Sequence, residues 1–167
     1  MESRIAGALL SGKKVLWLIC GGSNLPAAVR TMEILRKDVS DEYIENLTVG
    51  QTDERYGQPG HRDSNWSQMI EMGFNMRKAK SLPILIGKSL DTTVAEYASK
   101  INELFKEYKK SDYLIVAHFG IDSDSHLAGI FPNSPALSAE DMVFGYDSGK
   151  YIRVTLTPRA IKMIDVS

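Results

Sequence analysis

The sequence predicts an α/β fold with a mostly parallel sheet, and three observations carry that expectation. Two runs of strand length, KKVLWLIC (13–20) and DYLIVAHFG (112–120), are apolar on consecutive positions, which suits strands covered on both faces. Each runs directly into a polar, glycine-containing turn. Segments with helical spacing lie between the strands, so the two element types alternate along the chain.

The elements follow in order. Residues 2–10 can form a short helix. The strand at 13–20 leads through GGSNLP (21–26) into a helix over 27–37, where Val29, Met32, Ile34 and Leu35 recur at helical spacing. Strand, Gly-rich turn and helix make the first half of a βαβ unit. NLTVGQTDE (46–54) reads as the next strand, with carboxylates at its C-terminal end. RYGQPGHRD is a loop by its Gly and Pro, and Asp63 or Ser64 caps a helix that runs to Gly73. LPILIG (82–87) is a short strand or extended segment. Residues 89–110 form the clearest helix, with a stripe of Val94, Tyr97, Ala98, Ile101, Leu104, Phe105 and Tyr108, beginning at Asp91 or Thr92. After the strand at 112–120, residues 141–147 and 151–157 read as strands separated by a Ser-Gly turn. Thr157-Pro158 then starts a helix that continues to about Ile164. No strand follows to receive that helix, so the expectation is one domain over 1–167 that is short at its C-terminal end, without a final strand and helix.

Bulk properties exclude several classes. A chain of 167 residues suits one domain with a real core. Net charge is −1 and the basic segment KEYKK (106–110) is the solvated end of a helix, so no nucleic-acid partner is expected. Cys20 is the single cysteine, which removes disulfides and Cys-based zinc sites and reads as a small buried thiol. The N-terminal stretch lacks a signal-peptide core, and no window approaches the ~20 apolar residues of a membrane span. A soluble cytoplasmic protein without a membrane partner is the expectation.

Ligands in open α/β sheets bind beyond the carboxyl ends of the strands. Three polar clusters fall there: Gly21, Gly22, Ser23 and Asn24; then TDER (52–55); then GIDSDSH (120–126). The first is either an anion site at a helix N-terminus or a tight turn that needs glycine. It has neither the P-loop lysine nor a dinucleotide fingerprint. In the second, Arg55 is either a clamp for a phosphate or carbonyl oxygen, or one member of a surface ion-pair cluster with Asp53 and Glu54. The third alternates Asp122, Asp124 and His126. Counting from Asp122, a calcium loop needs Gly at 127 and an acid at 133, where Leu127 and Asn133 stand. His61 and His118 have no zinc-ligand spacing with His126. No Gly-x-Ser-x-Gly elbow exists for a serine hydrolase. What remains is a structural histidine, or a general base oriented by Asp124.

Taken together, VLWLICGGSNLP, TDERYGQPGHRDSNW, GIDSDSHLAGIFPNSP and YIRVTLTPRAI resemble, in order, four signature regions of the 6-phosphogluconolactonase family, which is related to the glucosamine-6-phosphate isomerases. The resemblance implies a Rossmann-like three-layer sandwich that hydrolyses 6-phosphoglucono-1,5-lactone to 6-phosphogluconate with no metal or nucleotide cofactor. It places His126 on the family's catalytic histidine, Asp124 on the aspartate two residues before it, and Arg55 on the arginine of the Asp-Glu-Arg motif. Asp53 opens that same motif. Gly21, Gly22, Ser23 and Asn24 fall on the phosphate-binding turn, and Arg153 on the arginine of Arg-x-Thr-Leu-Thr. Asp122 and Ser125 stand where the family has glycine, which predicts a reshaped loop. The alternatives are an aminosugar-phosphate isomerase, disfavoured by Asp-Glu-Arg where that branch has Asp-Glu-Tyr, and a degenerate sugar-phosphate-binding homologue.

Overall fold

The structure, a computed structural model, describes residues 1–120 and 126–167. Strand β1 (Val15–Ile19) is buried along its whole length. Val15, Trp17 and Ile19 pack on one side against Ile5 and Leu9 of α1 (Glu2–Leu10) and Leu25, Met32 and Leu35 of α2 (Leu25–Asp38). Leu16 and Leu18 face the other side, toward Tyr97, Ile101 and Phe105 of α5 (Leu90–Lys110). The continuous apolar run is therefore two alternating faces, each with its own core. Each fully buried leucine contributes about 1.5–3 kcal/mol.

Strands β2 (Leu47–Gln51) and β5 (Leu114–Ala117) flank β1 in parallel, and β4 (Lys80–Leu82) pairs with the outer side of β2. The order is β4-β2-β1-β5. The chain thus winds to one side of β1 and then returns to the other, which makes the gap beyond the carboxyl ends of β1 and β5 a topological switch point. A second sheet is antiparallel, with β3 (Asp53–Arg55), β7 (Ile152–Leu156) and β6 (Val143–Asp147) in that order. Val154 and Leu156 of β7 join the α5 side of the core. The mostly parallel α/β architecture is as the sequence predicts, with this small sheet added to one layer.

Several boundaries differ from expectation. The strand expected over 46–54 is two strands in two sheets, and Thr52 is the change-over. Its N–H donates to the Ile19 carbonyl at 3.1 Å, and its carbonyl accepts from the Leu156 N–H at 2.8 Å. The strand expected over 82–87 is instead Lys80–Leu82, because the Gln51 side chain takes the Ile84 N–H at 3.0 Å and draws that segment out of the ladder. A four-residue helix α3 (Asp41–Ile44), unforeseen, buries Ile44. Helix α5 is capped by Ser89 rather than by Asp91 or Thr92, through a 3.4 Å bond from the Thr92 N–H. Helix α6 (Pro158–Ile161) ends early because the chain returns to β5: the Asp165 N–H donates to the Ile115 carbonyl and the Ala117 N–H to the Val166 carbonyl. Val166 so bridges Val116 in parallel. No helix among the described residues is long and apolar enough to cross a membrane.

Candidate active site

The turn after β1 runs through a single 3-10 turn (Gly22–Asn24) into α2, with a proline in the first turn of that helix. The first backbone N–H groups of α2 have no partner within the helix, so this end favours an anion. Gly22 sits at φ +67, a left-handed conformation that glycine adopts without strain. Gly21 is required for another reason. A Cβ there would lie 2.1 Å from Asn65 Oδ1. Likewise a Cβ on Gly120, at the exit of β5, would lie 2.2 Å from Asn24 Nδ2. The turns after β1 and β5 close on each other backbone to side chain, which defines two walls of one cleft.

The small sheet supplies the third wall. In its register Asp53 opposes Thr155 and Arg55 opposes Arg153, so Asp53, Arg55 and Arg153 share a face. Arg153 donates from Nη1 to Asp53 Oδ2 at 3.2 Å, and Asp53 also accepts from the Thr52 hydroxyl and the Cys20 thiol. Arg55 holds the Asp63 carbonyl at 3.0 Å and lies over the Tyr151 ring, 5.0 Å from its centroid. Two guanidinium groups face each other across strands, with one carboxylate paired to them among the described residues. That excess of positive charge suits an anionic ligand.

Glu54 points the other way. It is fully buried and accepts from Gln51 Nε2, Ser64 Oγ and the N–H groups of Arg55, Asn65 and Trp66 at 2.7–3.0 Å. The carboxylate thereby fastens β3 to the start of α4 (Asn65–Glu71), whose cap is Ser64. The reading of Asp53, Glu54 and Arg55 as a surface ion-pair cluster is corrected: both acids are buried, because the chain leaves the parallel sheet at Thr52 and enters the interior between layers.

His126 stands at the edge of the cleft, its ring stacked on Phe131 at 4.5 Å and 22°. The same phenyl ring carries the Arg153 guanidinium 5.2 Å from its centroid. A tight turn holds this segment: Leu127 and Ile130 exchange backbone hydrogen bonds across Ala128 (φ +50) and Gly129 (φ +72). The Thr155 hydroxyl donates to the Ala128 carbonyl, and the Tyr146 hydroxyl to the Gly129 carbonyl at 2.6 Å. Asp122, Asp124 and Ser125 lie outside the described residues. The other histidines are elsewhere. His118 accepts from the Trp17 indole at 3.3 Å, and burial lowers its pKa; His61 contacts the Arg55 carbonyl at 3.0 Å.

Each described residue named from the sequence lines this one cleft: Gly21, Gly22, Ser23, Asn24, Asp53, Arg55, His126 and Arg153. The sequence reading missed Asn65, Gly120 and Gly129 as wall residues, and took Cys20 only as a buried thiol. Asn65 had a signal, since it follows a capping serine directly. Cys20 is no nucleophile: burial, and then the Asp53 charge, push its thiol up to about 12. Among the described residues no group of three or more His, Cys, Asp or Glu is placed to hold a metal. The arrangement can hold an anion, donate to a developing oxyanion, and present an imidazole for proton transfer.

Comparison with known proteins gives a concordant picture. The family model for glucosamine-6-phosphate isomerases/6-phosphogluconolactonase matches residues 1–163. A bifunctional glucose-6-phosphate 1-dehydrogenase/6-phosphogluconolactonase of Plasmodium falciparum is 32% identical over 84 residues, 48% of this chain; the match covers 9% of that protein's length. Among solved structures, a 6-phosphogluconolactonase from Thermotoga maritima superposes with a TM-score of 0.73 at 21% identity, over 98% of this chain and 74% of the other. One from Shewanella baltica gives 0.71 at 18% identity, over 98% and 71%. At these identities the likeness is one of fold.

Proposed function

The chain belongs to the family of glucosamine-6-phosphate isomerases and 6-phosphogluconolactonases, and on that premise we propose that it hydrolyses 6-phosphoglucono-1,5-lactone to 6-phosphogluconate. The observation that carries the reading is the convergence of His126, Arg55 and Arg153 on the cleft at the switch point, beside the Gly21–Asn24 turn. A sugar-phosphate lactone needs an anion holder, an oxyanion donor and a proton acceptor, and each class of group is present there.

In this reading His126 takes a proton from water as the water oxygen attacks the C1 carbonyl. Arg55 stabilises the charge that develops on the carbonyl oxygen. The tetrahedral intermediate then collapses, the C1–ring oxygen bond breaks, and the imidazolium returns its proton to the departing oxygen. Asp124 orients His126. Phosphate is held by the Gly21–Asn24 turn and by Arg153, which Asp53 keeps in place through its ion pair. A six-membered lactone already hydrolyses unaided, so no covalent nucleophile is required. Arginine at position 55 favours the lactonase over the aminosugar isomerase. The same reading places the protein in the cytoplasm, at the second step of the oxidative pentose phosphate pathway, with the sugar phosphate as its only partner.

The test uses freshly generated lactone and follows acid release. His126→Ala lowers kcat by about 10²- to 10⁴-fold, the usual range for a general base. Equal rates for the parent chain and His126→Ala would refute the mechanism, and ammonia release from glucosamine 6-phosphate would move the chain to the isomerase branch.

A further inference from the structure

We propose that Lys150 is a third cation for the phosphate group of the bound ligand, and that Tyr151 is the aromatic platform that carries it beside Arg55 and Arg153. The inference rests on the sugar-phosphate reading and adds to it a subsite outside every motif discussed above.

Three cations converge on one ring. The Arg55 guanidinium carbon lies 5.0 Å from the Tyr151 centroid, Lys150 Nζ 5.2 Å and the Arg153 guanidinium carbon 5.9 Å. The ring quadrupole attracts each of them, yet the cations repel one another. Among the described residues Asp53, on Arg153, is the one carboxylate paired with this trio. Arg55 and Arg153 oppose each other in register, and the Nε of both is buried with no hydrogen-bond partner. Three positive charges against one negative leave an excess of two. A phosphate monoester carries about −1.5 to −2 near neutral pH, which matches that excess. A neutral sugar or a single carboxylate does not.

The hairpin between β6 and β7 is built to present the lysine. Ser148 binds the Tyr151 carbonyl through both its N–H at 2.9 Å and its hydroxyl at 2.8 Å, which fixes the platform. Gly149, at φ +91, turns the chain and donates to Asp147 Oδ1 at 2.8 Å. Lys150 follows that turn and is exposed, so its flexible stem and three donors can follow a phosphate as it enters. The two arginines are held rigidly in the wall, and the lysine completes the set from the rim.

Calorimetric binding of 6-phosphogluconate and of inorganic phosphate to the full chain tests the proposal. Lys150→Gln weakens both about fivefold at low salt, the size of one partly exposed charge pair. Lys150→Glu weakens them further, and high salt brings all three proteins together as screening removes the term. Tyr151→Leu weakens binding as well, whereas Tyr151→Phe, which keeps the ring, recovers it. Unchanged low-salt affinity in Lys150→Gln overturns the proposal, as does a loss that persists at high salt or a parent chain that binds neither anion. A chain that binds 6-phosphogluconate through Lys150 but hydrolyses no lactone refutes the lactonase reading and leaves this subsite standing. Lactone turnover with a KM indifferent to Lys150 does the reverse.

Discussion

The two sheets differ in what they bury. The parallel sheet buries hydrocarbon on both faces of its central strand, from Val15 to Ile19, and offers the cleft only the turns at its carboxyl ends. The three-stranded sheet buries charge: Asp53, Glu54 and Arg153 are each less than a tenth exposed. The larger sheet therefore sets where the cleft lies, and the smaller one sets what the cleft attracts. Stability and affinity are divided between them, and the division can be tested.

The largest effect falls on the smaller sheet. Glu54→Ala leaves five donors without their acceptor in the interior, and urea unfolding is expected to show a loss of about 4 kcal/mol or more. A loss below about 1 kcal/mol would mean that water replaces the carboxylate and that the charge is incidental. Next comes the parallel sheet. Leu18→Ala, on the α5 face of β1, costs about 3 kcal/mol while activity per folded molecule is retained. A fall in kcat at full folding would break the division, because it would make the hydrocarbon layer part of the site. The smallest effect lies where the sheets meet. With its pKa pushed up to about 12, the Cys20 thiol is protonated at pH 8, since a raised value keeps the neutral form until the pH climbs toward it. Alkylation of the native protein at that pH is then slower than that of a free thiol by about 100-fold or more, and fast labelling would show the junction to be open.

The sequence made the larger sheet legible and the smaller one only in part. Continuous apolar runs at β1 and β5 and the stripe of α5 identify buried elements without help from the rest of the chain. The end of β2 carries no such mark. Thr52 is neither Gly nor Pro, and its role is defined by partners from β1 and β7, more than thirty and a hundred residues away. The same holds in the cleft. Gly21–Asn24, Arg55 and His126 sit in local patterns at strand ends, and those patterns place them. Asn65 and Gly129 matter through contacts with Gly21 and with Asp53, which no local spacing encodes. Tyr151 looks like any hairpin aromatic until Arg55 and Arg153 are seen over its ring.

Thr52 has one more consequence. It is gripped by Ile19 on the side of its N–H and by Leu156 on the side of its carbonyl, so the chain cannot slide by one position there without breaking both sheets at once. Such a slip would exchange Asp53 and Glu54, sending the arginine's partner toward α4 and the helix anchor into the cleft. The two acids are chemically near-twins, and nothing in their side chains would reject the exchange. A threonine with a hydrogen bond to each sheet acts as the folding chain's frame marker, so that a miscount by one residue is lost as instability before it can survive as a defective enzyme.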